Sequence, residues 1–191
     1  MAIFLDRDGT INVEVNYLHQ PELVQLEATV GIAIARLNRA NMPVVVVTNQ
    51  SGIARGFYDV AAMHRVHARI SELLHPFGAH IDAWYFCPHH PAVSGQCLCR
   101  KPATQMFTDA ARDLKLDLRQ CWMVGDKLLD VQAGINAGCR AILVTTGYGA
   151  VDQTLVPDQT PVVGSLLEAV NIILAASAGN NATQTAQTSV V

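Results

Sequence analysis

A chain of 191 residues is the size of one ordinary domain, and with half its residues hydrophobic and only 15% charged it can bury a full core, which excludes a disordered chain. The net charge of −3 gives no global attraction to nucleic acid or an anionic membrane. Any bound phosphate must therefore be held by local charges.

The predicted elements run in α/β alternation. The apolar run Ala2–Leu5 reads as a first strand, followed by the polar cluster Asp6-Arg7-Asp8-Gly9-Thr10. Val30, Ala33, Ile34 and Leu37 recur at helical spacing, with Thr29 as N-cap. Val44–Thr48 is a hydrophobic strand suited to the sheet centre. Asp59 opens a second helix outlined by Val60, Met63, Val66, Ile70, Leu73 and Leu74. Ala83–Cys87 is a third strand, and Phe107, Ala110, Ala111 and Leu114 mark a third helix. Strands follow at Trp122–Val124 and Ala141–Thr145, separated by a short helix through Val131 and Ile135 that stops at Gly138, with a weaker strand near Val162.

This alternation predicts an open parallel sheet in a Rossmann-like three-layer sandwich. One domain is expected over residues 1–176 and a flexible tail over 177–191. Leu166–Ala176 is interrupted by Glu168 and Asn171 and is too short to cross roughly 30 Å of hydrocarbon. The short apolar run after Met1 does not read as a secretory signal, and none is expected. A cytoplasmic location is expected, with the five cysteines serving as ligands or core residues. No membrane or nucleic-acid partner is expected, and a monomer suffices.

In such sheets ligands sit beyond the carboxyl ends of the strands, and the polar clusters fall there. Asp6–Thr10, Thr48–Gly52, Cys87–Lys101 and Gly125–Asp130 each follow a strand. Residues two apart on extended chain point the same way, so Asp6 and Asp8 face one pocket. An EF-hand beginning at Asp6 would need Gly and Glu where Ile11 and Tyr17 stand. With Asp126 nearby, the crowded carboxylates call for a hard divalent cation such as Mg²⁺, with Lys101 and Lys127 as basic partners. Cys87, His89, Cys97 and Cys99 offer three thiolates and one imidazole, a set for a structural zinc that braces the loop over residues 87–99. His90 is the weaker ligand candidate. Cys121 and Cys139 read as core residues, and His64, His67 and His75 as ordinary surface or partly buried ones.

Asp6-Arg7-Asp8-Gly9-Thr10, Thr48 ending a strand, Lys101, and Gly125-Asp126 with Asp130 resemble the four ordered motifs of the haloacid dehalogenase-like phosphohydrolases. The resemblance covers about residues 1–147 and implies that fold. It makes Asp6 the nucleophile that forms an aspartyl-phosphate and Asp8 the proton donor and acceptor. Thr48 and Lys101 would hold the phosphoryl oxygens. Mg²⁺ is expected on Asp6, Asp126 and the Asp8 backbone carbonyl, with Asp130 orienting neighbouring groups. Asp6 and Thr48 are 42 positions apart, which leaves no room for a cap domain, so specificity falls to loops.

Within the superfamily the chain is similar to the zinc-loop subgroup of heptose bisphosphate and histidinol-phosphate phosphatases. Thr48-Asn49-Gln50-Ser51-Gly52-Ile53-Ala54-Arg55-Gly56, Cys87-Pro88-His89-His90-Pro91 and Cys99-Arg100-Lys101-Pro102 resemble the heptose branch more closely. Such an enzyme removes the 7-phosphate of D-glycero-D-manno-heptose 1,7-bisphosphate and leaves the 1-phosphate, on the way to nucleotide-activated heptose for lipopolysaccharide core. Arg100, with Lys127, would recognise the distal phosphate or sugar. Glu14, Asn16 and Tyr17 of the flap and Asn49, Gln50 and Ser51 of the following turn would contact substrate. The alternatives are a histidinol-phosphate or general sugar-phosphate phosphatase and a non-catalytic phosphate-binding module.

Overall fold

The computed structural model describes residues 1–188. Six parallel strands form one sheet: β1 (Ile3–Leu5), β2 (Val44–Asn49), β3 (Ala83–Cys87), β4 (Trp122–Gly125), β5 (Arg140–Val144) and β6 (Val162–Val163), in the order β3-β2-β1-β4-β5-β6. The chain builds outward from β1 through β2 to β3, then crosses back to lay β4 on the other side of β1. Strand order therefore reverses between β1 and β4, where Leu5 pairs with Val124. Just past that pair, Asp6 and, after Gly125, Asp126 open onto the crevice where ligands bind such sheets.

Alternation along the strands sorts the core into two halves. Ile3, Leu5, Val44 and Val46 pack toward α1 (Val30–Arg39), α2 (Val60–Leu74) and α7 (Leu166–Thr188). Ala2, Phe4, Val45 and Val47 face α4 (Gln105–Leu114), where Phe4 and Phe107 rings meet at 4.8 Å. The four valines of β2 are fully buried, each adding roughly 1.5–3 kcal/mol by leaving water. That burial on both faces makes β2 a stiff platform for Thr48 at its end. The remaining helices are short: α3 (Pro91–Ser94), α5 (Leu128–Asn136) and α6 (Gly149–Asp152). α5 covers the second face beside β4 and β5.

One expectation about the elements needs amendment. Thr29 stands at the N-cap position of α1 but in a left-handed conformation (φ 66°), with no side-chain hydrogen bond to the helix. Asp59, by contrast, caps α2, its carboxylate accepting from the Ala62 N–H at 2.7 Å. The apolar stretch from 166 is a helix seated on α1, fastened by Arg36 Nη1 donating to Asn171 Oδ1 at 2.6 Å, and its backbone stays helical from residue 177 to Thr188. Residues 189–191 of the expected tail lie outside the described residues. Between β1 and β2 the only α-helix is α1, so no cap domain is inserted there. No helix among the described residues is long and apolar enough to cross a membrane.

Candidate active site

Three carboxylates meet at the strand-order reversal. Asp6 follows β1, Asp126 follows β4, and Asp130 sits in the first turn of α5; one oxygen of each lies within 4.8 Å of the others, and all three residues are buried. Two glycines make this approach possible. A Cβ on Gly9, at φ +81°, would stand 2.3 Å from Asp126 Oδ2, and one on Gly125 would stand 2.4 Å from the Asp130 Cβ.

Lys101 is the buried cation of this cluster. Its Nζ lies 2.8 Å from Asp6 Oδ1 and donates to the Val47 carbonyl at 2.7 Å; it also pairs with Asp130 Oδ1 at 2.7 Å, an ion pair outside hydrogen-bond angles. At an effective dielectric near 20, three carboxylate repulsions at that spacing total about 10 kcal/mol, and two contacts to one ammonium return about as much. Little remains to offset burial. Burial, then the charge of Asp6, accordingly raise the Asp126 carboxyl to about 8, with Lys127 opposing. Burial and Asp6 raise Asp130 to about 6, with Lys101 opposing. Asp126 Oδ1 is buried without a hydrogen-bond partner, while its Oδ2 accepts from the Tyr148 N–H at 2.8 Å. An orphaned buried oxygen among hard oxygen donors fits a site for a small divalent cation.

Asp8 departs from the sequence reading. It lines the same pocket as Asp6, yet its carboxylate is not part of the crowded trio. Arg7, fully buried, pairs with it at 2.9 Å, while Asn12 Nδ2 and Gln50 Nε2 donate to it at 3.1 and 3.0 Å. Burial alone would raise Asp8; the Arg7 guanidinium, with those amides, outweighs it and holds the carboxyl below its ordinary range. The carboxylates that crowd Asp6 are Asp126, as expected, and Asp130, expected from the sequence only as an orienting group.

The open space above is a cavity of about 340 Å³. Asp6, Asp8, Thr48 and Lys101 line it, together with Glu14, Asn16, Tyr17, Asn49, Gln50, Ser51, Arg100 and Lys127. Gln50 is only 2% exposed and is committed to protein: beyond Asp8 it donates to Thr48 Oγ1 at 2.8 Å and accepts from the Tyr58 hydroxyl at 2.6 Å. It orients Asp8 and Thr48, a role its place in the turn did not disclose. Asn49 locks Lys101 in place by exchanging two side-chain-to-backbone hydrogen bonds with it. Lys127 Nζ pairs with Glu14 at 2.9 Å and lies 3.8 Å from Asp126. Burial would lower that lysine, but Asp6, Asp126 and Glu14 together raise it. Arg7, Asn12 and Tyr58 were missed because their partners are set by tertiary approach. The only sequence signal was a charge wedged between two aspartates at position 7.

Cys87, His89, Cys97 and Cys99 also converge, their ligand atoms within 4.8 Å of one another. Cys87 Sγ lies 3.6 Å from Cys97 Sγ and 3.0 Å from Cys99 Sγ, and His89 Nδ1 lies 3.3 Å from Cys99 Sγ. Four ligands around one Zn²⁺ stand roughly 3.5–3.8 Å apart, given Zn–S near 2.3 Å; the cluster is close to that spacing. His90 stays outside it. Arg100 Nη1 donates to the His89 carbonyl at 3.2 Å, tying the cluster to the pocket wall. Metal analysis should find about one zinc per chain, lost in a Cys97→Ser, Cys99→Ser variant; retention of the metal there would contradict this ligand set. Cys121 and Cys139 are buried core residues. His67 is buried as well, stacked on Trp84 at 4.1 Å.

Comparisons with known proteins agree with this geometry. A family model described as HAD-hydrolase-like matches residues 98–169. The D-glycero-D-manno-heptose-1,7-bisphosphate 7-phosphatase of Thermosynechococcus vestitus is 45% identical over 78% of this chain and 80% of its own length. The D-glycero-beta-D-manno-heptose-1,7-bisphosphate 7-phosphatase of Mesorhizobium japonicum is 44% identical over 78% and 71%. The crystal structure of the D,D-heptose 1,7-bisphosphate phosphatase from B. bronchiseptica, complexed with magnesium and phosphate, superposes with a TM-score of 0.85 at 37% identity, covering 92% of this chain and 99% of that one.

Proposed function

Because the chain belongs to the haloacid dehalogenase-like hydrolases and, within them, to the heptose bisphosphate phosphatases, we propose that it hydrolyses the 7-phosphate of D-glycero-D-manno-heptose 1,7-bisphosphate through an aspartyl-phosphate on Asp6. The observation that carries this reading is the buried Lys101 ammonium held between Asp6 and Asp130, at the floor of a cavity that Asp8 and Thr48 also line.

An Asp6 oxygen attacks phosphorus while the bond from phosphorus to the sugar O7 breaks, and Asp8 delivers the proton that O7 needs to leave. Arg7 holds Asp8 ionised in the free enzyme, and the incoming phosphate opposes Arg7 and raises the Asp8 carboxyl toward a donor. The proton returns when Asp8 takes one from the water that attacks the aspartyl-phosphate, freeing Asp6 and inorganic phosphate. Lys101 and the Thr48 hydroxyl, aimed by Gln50, bind the phosphoryl oxygens as charge spreads over them. Asp6, Asp126 and the Asp8 carbonyl would hold Mg²⁺, which supplies the remaining positive charge. Zinc on the cysteine–histidine cluster would have four protein ligands and so brace the loop only. Arg100 and Lys127, which line the same cavity, would meet the 1-phosphate and sugar, and the product would feed nucleotide-activated heptose synthesis in a reducing cytoplasm.

The test is phosphate release with Mg²⁺ from heptose 1,7-bisphosphate, histidinol phosphate and simple sugar phosphates in parallel. Since relatives such as that of Mesorhizobium japonicum carry the β-anomer in their names, the β bisphosphate is the first substrate to try. Preference for histidinol phosphate would overturn the assignment, and failure to turn over any of them would favour a binding module.

A further inference from the structure

Arg55 lies in the turn after β2, outside the lining of the cavity, yet it touches two of the three loops that wall it. Its Nη2 lies 2.7 Å from His90 Nε2; since a guanidinium has only donors, Nε2 accepts, in the tautomer that carries its proton on Nδ1. Its Cζ sits 5.8 Å from the centre of the Tyr17 ring. The same ring meets Phe57 edge-on at 4.7 Å. Tyr17 holds φ at 55°, an uncommon backbone for a bulky residue that persists only where its surroundings hold it. The turn is already fastened to the metal-binding loop by backbone: Gln50 N–H donates to the Cys87 carbonyl at 2.7 Å and Ala54 N–H to the Pro88 carbonyl at 3.1 Å. The flap carrying Tyr17 has no such backbone tie to that turn.

We infer that Arg55 is a positioning residue for substrate specificity, a strut that joins the flap at Tyr17 to the metal-binding loop at His90 and so sets the shape of the cavity wall opposite the reacting phosphate. Without a cap domain, these loops are what a sugar bisphosphate would touch beyond its transferred group. Arg55 acts through Tyr17 and His90, so its loss affects binding of the distal part of the substrate and leaves the reacting centre in place. Which distal group is felt rests on the heptose bisphosphate reading; the strut itself does not.

Two readouts test it on Arg55→Ala and Arg55→Lys, with wild type alongside. The first is amide hydrogen exchange over residues 14–18, which needs no substrate. Arg55→Ala should exchange faster there, and Arg55→Lys, which keeps a cation over the ring but not the planar fork, should fall between. The second is kinetics on heptose 1,7-bisphosphate and on p-nitrophenyl phosphate. Arg55→Ala should raise KM for the bisphosphate roughly three- to ten-fold, with kcat nearly unchanged and little effect on the small ester. Unchanged flap exchange, or equal KM increases on both esters, would overturn the strut. If wild type ignores the bisphosphate, the substrate reading fails while the exchange result still decides on Arg55.

Discussion

Asp6→Asn is expected to lower turnover by about four orders of magnitude or more, as removal of a covalent nucleophile does, while the fold survives. The substitution keeps the shape of the side chain and removes one negative charge from a trio that carries too many. Lys101 keeps its 2.7 Å contact to Asp130, so no cation is orphaned. Asp126, raised in part by the charge of Asp6, should fall toward its ordinary range. Loss of activity should therefore accompany a urea midpoint equal to or above that of wild type. Retained turnover would remove Asp6 from the chemistry, and unfolding would show that its charge is needed for structure.

Lys101→Met should be costly in both respects. The variant fills similar volume but leaves Asp6 and Asp130 buried without their shared cation. Burial works against the lysine's charge, yet Asp130 and Asp6 outweigh it and hold its ammonium above the ordinary range. Removing one partner of such a buried pair costs about 3–5 kcal/mol, and the lost phosphoryl contact should remove about two to three orders of magnitude in kcat. Adding Asp6→Asn to Lys101→Met should recover part of the stability, because one of the stranded charges then disappears. Urea denaturation of the two single variants and the double one measures that coupling. Strictly additive effects would mean that the 2.8 Å contact between Lys101 and Asp6 carries no net interaction.

Much of this arrangement was legible in the sequence because parallel strands deliver residues to one edge regardless of loop detail. Asp6, Thr48, Cys87 and Asp126 each sit at or just beyond the end of an apolar run, and the sheet order brings those ends together. The four cysteine and histidine residues that could hold a metal ion were legible for a similar reason, since they crowd one loop. What failed was geometry that depends on where the chain leaves the strand. Strand alternation put Asp6 and Asp8 on one pocket, which both line, but it could not show that the Asp8 carboxylate pairs with Arg7 at 2.9 Å and stays out of the crowded trio. Gln50 looked like a substrate contact because its turn lines the cavity; its amide is used up by Asp8 and Thr48, from residues as far as 42 positions away. Thr29 had the right residue type for a cap, but its left-handed backbone kept the hydroxyl out of the helix hydrogen bonds. The helix from Leu166 is hard to read because Glu168 and Asn171 interrupt its apolar run, yet Asn171 meets Arg36 on α1.

The destination of the phosphoryl group decides most directly whether Asp6 is the nucleophile. Mixing the protein with Mg²⁺ and excess heptose 1,7-bisphosphate, quenching in acid within the first turnover and mapping the peptides should locate one phosphoryl group on the segment from the amino terminus through Arg7, on Asp6. A quenched protein that turns over the substrate yet never carries phosphate on that segment would mean that water attacks the ester directly and that Asp6 forms no covalent intermediate.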